Sequence, residues 1–199
     1  MPPDTQGSSS VRPQALIAVV KNAAATDPDA VNKRALRDQV IPLADWLEVN
    51  IDEAAPAQRE DWLLRQLSSA LSRKHMDVGQ LVIVGWQDAA RFALDLILKG
   101  AITCAGIVAI DVSYASPREP IAATSASIRI VGHSDGTAPQ ENGLIDALRR
   151  QDADLRLMSL PASERHERDV TTRATAVFLS ELTSKACLQS SASKGSNHV

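Results

Sequence analysis

Aromatic side chains are scarce in this chain: three Trp, one Tyr and two Phe among 199 residues. Proteins that hold single-stranded nucleic acid stack its bases on aromatic rings set in a basic groove, and neither ingredient is present. Lys and Arg number 21 against 24 Asp and Glu, a formal net charge of −3. No positive field is therefore available for a phosphate backbone or an anionic membrane surface. Cysteine is rarer still. Cys104 lies in an apolar run and Cys187 near the C-terminus, which excludes a disulfide framework and fits a reducing cytoplasm. The four histidines, His75, His133, His166 and His198, have no zinc-site spacing, so neither a metal nor a cofactor is expected. Long apolar runs are missing as well. None is long enough to span a membrane, and "MPPDTQGSSSVRP" at the start has no signal-peptide core.

What the chain does have is alternation. Short apolar runs at 15–20, 45–51, 80–86, 104–112, 127–131 and 155–160 read as strands. Between and after them, 32–44, 57–75, 88–100, 140–151 and 168–186 carry helical spacing. The clearest helix is "AQREDWLLRQLSSALSRKH", with Trp62, Leu63, Leu67 and Leu71 on one face. Repeated strand–helix–strand order predicts a mostly parallel sheet of about six strands with helices on both faces. The boundaries expected are a disordered N-terminal tail over 1–13, one domain over 14–186 and a Ser-rich disordered tail over 187–199.

One short motif asks whether the chain is an enzyme. Gly132-His133-Ser134-Asp135-Gly136 spells G-x-S-x-G, the serine-hydrolase nucleophile pattern. That motif needs a strand, a sharp turn carrying the nucleophile, and a helix starting at once. A helix starting at Ser134 would hold Pro139 in its interior, where the ring clashes with the carbonyl four residues back. Only one strand would follow it, too few for the acid and histidine of this triad order. Ser134 reads as a turn serine. The stretch "LVIVGWQDAARFALDLILKG", 81–100, fits the elbow better. An apolar strand enters Gly85, an uninterrupted helix follows, and small Ala89 balances Gly85 about a centre at Gln87.

With that elbow the chain resembles the α/β-hydrolase superfamily, in its short carboxylesterase/phospholipase-like form, over roughly 14–186. The segment "IRIVGHSDGTAP" matches the family's acid turn, which implies Asp135 as the acid with Pro139 four residues on. The helix and strand of "LIDALRRQDADLRLMSLP" follow in family order, and His166 in "PASERHE" falls where the catalytic histidine belongs. The resemblance implies a three-layer α/β-hydrolase-like fold. It also exposes departures. Gln87 stands where the nucleophilic serine would be. Lys21-Asn22 replaces the H-G segment that helps form the oxyanion hole, and Asp88 occupies the other oxyanion-hole position.

A glutamine amide has a delocalised lone pair that no base can activate, so the family's acyl-enzyme cannot form on Gln87. Asp88 beside an oxyanion hole would oppose developing negative charge, whereas in a helix's first turn it favours the dipole. The sequence leaves three readings. The first is a hydrolase-like protein without ester hydrolysis that binds a small ligand or a protein partner, with Asp135 and His166 as a vestigial pair. The second is an active ester or thioester hydrolase using Ser134 or another nucleophile. The third is an interaction protein with no working pocket. Trp86 beside the elbow is expected in the core, and His75 and His133 have no partner the sequence can name.

Overall fold

The six apolar runs pair into one sheet in the order β2-β1-β3-β4-β5-β6, with every neighbour parallel. The computed structural model describes residues 15–22, 33–39, 44–117, 119–134, 143–161 and 167–195. The strands are β1 (Ala15–Lys21), β2 (Ala44–Asn50), β3 (Leu81–Trp86), β4 (Gly106–Ile110), β5 (Ser127–Ser134) and β6 (Leu155–Pro161). The helices are α1 (Lys33–Gln39), α2 (Arg59–Lys74), α3 (Gln87–Leu98), α4 (Gly143–Arg150) and α5 (Glu167–Gly195). β1, β3 and β4 are buried along almost their whole length. Their unbroken apolar sequence follows from helices covering both faces of a parallel sheet.

Alternation along the strands divides the core. Leu16, Ala18, Val20, Ile83, Ile107 and Ile128 point toward α2, α3 and α4. Ile17, Val19, Val84, Trp86, Val108 and Val131 point toward α1 and α5. Trp86 is therefore a core side chain, as expected. His75 ends α2: it takes the left-handed conformation (φ 54°), and its N–H donates to the Leu71 and Ser72 carbonyls. Gly100 (φ 81°) does the same after α3.

Two element boundaries differ from the sequence expectation in ways that matter. β5 does not stop at Val131 but continues through His133 and Ser134, paired in register with Leu160 and Pro161 of β6. Ser134 is thus the last residue of a strand and not a turn serine. The hydrophobic alternation ends at Val131, yet the main-chain ladder with β6 goes on. At the C-terminus, α5 runs to Gly195, past the Ala186 end expected and into the segment read as a tail. Its residues after Ala186, in the order CLQSSASKG, include one large apolar side chain, Leu188, and so supply no periodic apolar signal.

α5 is fixed to the sheet by charge as well as by packing. Arg129 on β5 is almost wholly buried, and its guanidinium donates to Glu181 (2.7 Å) and Asp154 (3.1 Å). Lys185 reaches Ser127 (2.5 Å) and Asp154 (3.2 Å), and the Ser127 hydroxyl donates to Asp154 (2.6 Å). Burial alone would raise the Asp154 carboxyl, but the hydrogen bonds from Ser127, Arg129 and Lys185 outweigh it and hold the group well below the usual range. Among the described residues no helix is long and apolar enough to cross a membrane.

Candidate active site

β3 passes into α3 with no residue between them: Trp86 is extended (φ −124°, ψ 142°) and Gln87 already begins the helix. Such an abrupt change of direction needs an unusual backbone, and Gln87 takes the left-handed conformation (φ 49°). That conformation costs an L-residue roughly 1–2 kcal/mol, and strain of this kind gathers at functional sites. The residues around it are small for a steric reason. A Cβ on Gly85 would stand 3.0 Å from the Ala90 Cα and 3.1 Å from the Val20 carbonyl oxygen. Ala89 and Ala90 are themselves fully buried. The geometry is a strained strand-to-helix elbow with the Gln87 side chain exposed at its tip.

Lys21, Asn22 and Asp88 all lie near Gln87 in the fold. Val20 pairs with Gly85, so Lys21 and Asn22 leave β1 beside the elbow. The Lys21 ammonium is engaged by Glu48 on β2 (2.9 Å), which also accepts from Arg37 (3.5 Å). Asp88 is exposed in the first turn of α3, the favourable place for a carboxylate on the helix dipole.

Ser134 has a different setting. It closes a strand, and among the described residues the next helix is α4 from Gly143. Gly132, the first glycine of G-H-S-D-G, is required by a side chain: a Cβ there would lie 2.5 Å from the Tyr114 hydroxyl oxygen. Gly85 is required by backbone and Gly132 by a phenol, so only the first is an elbow glycine. Asp135 follows β5 and His166 precedes α5 in the chain; both lie outside the described residues.

The sequence reading missed an arrangement at the next two strand ends. Asp111 leaves β4 with a left-handed backbone (φ 52°), and its N–H donates to the Val131 carbonyl of β5 (2.8 Å). Its carboxylate accepts from the His133 main-chain N–H (3.1 Å) and faces His133 Nδ1 at 2.8 Å. His133 Nε2 meets the Thr171 hydroxyl of α5, also at 2.8 Å. An ionised carboxylate only accepts, so Nδ1 carries the proton, and in the neutral ring Nε2 accepts from Thr171. The order acid–imidazole–hydroxyl is that of a nucleophile triad, but Thr171 is fully buried. The chain therefore acts as a polar strut joining β4, β5 and α5.

The loop after β4 is held over this strut. Arg91 donates to the Ser113 and Ala115 carbonyls (both 2.8 Å) while its Nε meets Asp95 (3.0 Å). Burial, and then the Asp111 carboxylate, raise the Tyr114 phenol. Among the described residues no group of three His, Cys, Asp or Glu is gathered as a metal site would need.

No family model matches the chain. No curated protein matches it either. Solved structures do. A carboxylesterase from Bacillus cereus superposes with a TM-score of 0.65 at 14% identity, over 86% of this chain and 89% of its own. The fold is that of the α/β hydrolases. The S-formylglutathione hydrolase FrmB from Staphylococcus aureus gives 0.63 at 11% identity, over 88% of this chain and 83% of its own. YahD, solved with malic acid, gives 0.56 at 16% identity, over 82% of this chain and 93% of its own. At such identities the likeness is one of α/β-hydrolase architecture, and chemistry must be argued from side chains.

Proposed function

We propose that this chain is an α/β-hydrolase-like protein without ester hydrolysis, which binds a small ligand or a protein partner at the C-terminal edge of its sheet. The observation that carries the reading is Gln87, left-handed at the tip of the β3–α3 elbow. The elbow backbone is retained while the group it presents cannot form an acyl-enzyme. What an exposed glutamine amide offers instead is recognition, since it both donates and accepts hydrogen bonds. Asp135 and His166 are then the remnants of a triad, and Lys21, Asn22 and Asp88 stand in place of an oxyanion hole. Lys21 engaged by Glu48 and a carboxylate at Asp88 both argue against an oxyanion stabilised there. Ser134 is a poor substitute nucleophile, because it ends a strand and a helix starting on it would hold Pro139 in its interior. No cofactor enters this account, and two free thiols fit a cytoplasmic protein.

Steady-state hydrolysis of short-chain esters tests the proposal. Wild type is expected to show no turnover above the uncatalysed rate. Turnover that survives Gln87→Ala and disappears in Ser134→Ala would transfer the nucleophile's role to Ser134.

A further inference from the structure

The loop after β4 and helix α4 form two walls that meet at one end and part at the other. The loop is fixed at several points. Arg91 donates to the Ala115 carbonyl (2.8 Å), the Leu144 N–H donates to the Tyr114 carbonyl (3.0 Å), and the Ala122 N–H donates to the Leu98 carbonyl (2.7 Å). Pro117 and Pro120 stiffen the stretch between. Where the walls meet, Gly143 leaves no room for a side chain: a Cβ there would lie 2.1 Å from the Ser116 hydroxyl oxygen. Further along α4 they part around a cavity of about 510 Å³, within the range of small-ligand sites. The elbow residues do not line it.

Two opposite charges do line it, Glu119 on the loop wall and Arg150 on the helix wall. Among the described residues neither has an ionic partner, and they do not pair with each other. Arg150 is nonetheless oriented. Its Nε donates to the Asp146 carbonyl one turn back (3.2 Å), which leaves the two terminal nitrogens as a fork that matches the two oxygens of a carboxylate. The Glu119 carboxylate accepts from a cation. Pro120 and Ile121 add apolar surface beside both. A simple anion would satisfy Arg150 alone and a simple amine Glu119 alone. A molecule carrying both charges satisfies the two walls together, and walls already fixed by the fold need little ordering to receive it.

We propose that this cavity binds a small zwitterion with an apolar side group, the chemistry of a free aliphatic amino acid. Its carboxylate lies on the Arg150 fork, its ammonium on Glu119 and its side chain against Pro120 and Ile121. The cavity is separate from the elbow, so this proposal stands or falls apart from the functional one.

Isothermal titration calorimetry of the purified full chain with L-leucine tests it. Wild type is expected to bind with a Kd of about 1 mM or tighter. Isocaproate, which lacks the ammonium, and isoamylamine, which lacks the carboxylate, are each expected to bind at least about tenfold more weakly. Arg150→Ala and Glu119→Gln are each expected to weaken leucine binding about tenfold or more, with unchanged melting temperatures because both positions are exposed. Arg150→Lys is expected to lose less, since it keeps the charge without the fork. Gln87→Ala is expected to bind leucine as wild type does. Absence of saturable heat with leucine overturns the proposal. So does binding that isocaproate or isoamylamine matches, or that survives both Arg150→Ala and Glu119→Gln. Binding lost in Gln87→Ala would place leucine at the elbow and overturn it too.

Discussion

Gln87 and Asp111 are the first residues beyond two hydrogen-bonded parallel strands, and both take the left-handed conformation, at φ 49° and 52°. Trp86 pairs with Ile110 in register, so the chain turns in the same unusual way at adjacent points on one edge. The two turns serve different ends. Asp111 is held by hydrogen bonds from His133, whereas the Gln87 side chain projects from the tip of an elbow.

That contrast has opposite consequences for glycine. Gln87→Gly relieves the left-handed strain, less the entropy glycine adds to the unfolded chain, and is expected to be neutral or stabilising by up to about 1 kcal/mol. Asp111→Gly relieves the same backbone but leaves His133 without its acceptor. It is expected to destabilise by about 1–3 kcal/mol. Urea unfolding of the two variants checks both signs.

The two structural glycines also separate by experiment. Gly85→Ala drives a Cβ against Ala90 and Val20 backbone, and is expected to cost about 1–3 kcal/mol whatever else is changed. Gly132→Ala meets only the Tyr114 hydroxyl; the ring carbon bearing it would be 3.7 Å away. Its cost is therefore expected to fall sharply in a Tyr114→Phe background, where that oxygen is gone. A double-mutant cycle on unfolding free energies measures the coupling.

These elements show how much the sequence carried and where it stopped. The strand–helix order and the elbow were legible because they rest on chain-local features: continuous apolar strands, Gly85, and a helix free of Gly and Pro from Gln87 on. The true end of β5 was not, since His133 and Ser134 are held by β6 through main-chain bonds that side-chain pattern does not encode. The Asp111–His133–Thr171 strut was hidden for a related reason. Its members lie 22 and 38 residues apart and meet only once β4, β5 and α5 are placed side by side. A histidine and an aspartate at the ends of consecutive strands were the available clue; nothing marked Thr171 within a helix rich in threonine.

The charged attachment of α5 predicts an acid-sensitive step. Asp154 and Glu181 are both lowered from their ordinary values, Asp154 by hydrogen bonds from Ser127, Arg129 and Lys185 that overcome its burial, Glu181 chiefly by Arg129. A depressed carboxyl contributes stability above its unfolded value, near 4, and loses it as pH falls toward the folded one. Unfolding free energy is expected to decline below about pH 4 in wild type. In Asp154→Asn the protein is expected to be less stable at neutral pH and to decline less steeply with acid. An equal acid slope in both would remove Asp154 from the attachment.

The amide at the elbow cannot act as a nucleophile, and covalent labelling with a fluorophosphonate followed by peptide mass spectrometry checks whether any serine does. Such a probe reports an activated serine whatever the substrate. No adduct is expected on the wild-type chain. A Gln87→Ser variant returns a hydroxyl to the left-handed tip of the elbow; an adduct there would show that Asp135 and His166 still work. Its absence would mean that Lys21, Asn22 and Asp88 no longer support the chemistry. A wild-type adduct on Ser134 or on any other serine would contradict the loss of ester hydrolysis and make this protein an active hydrolase.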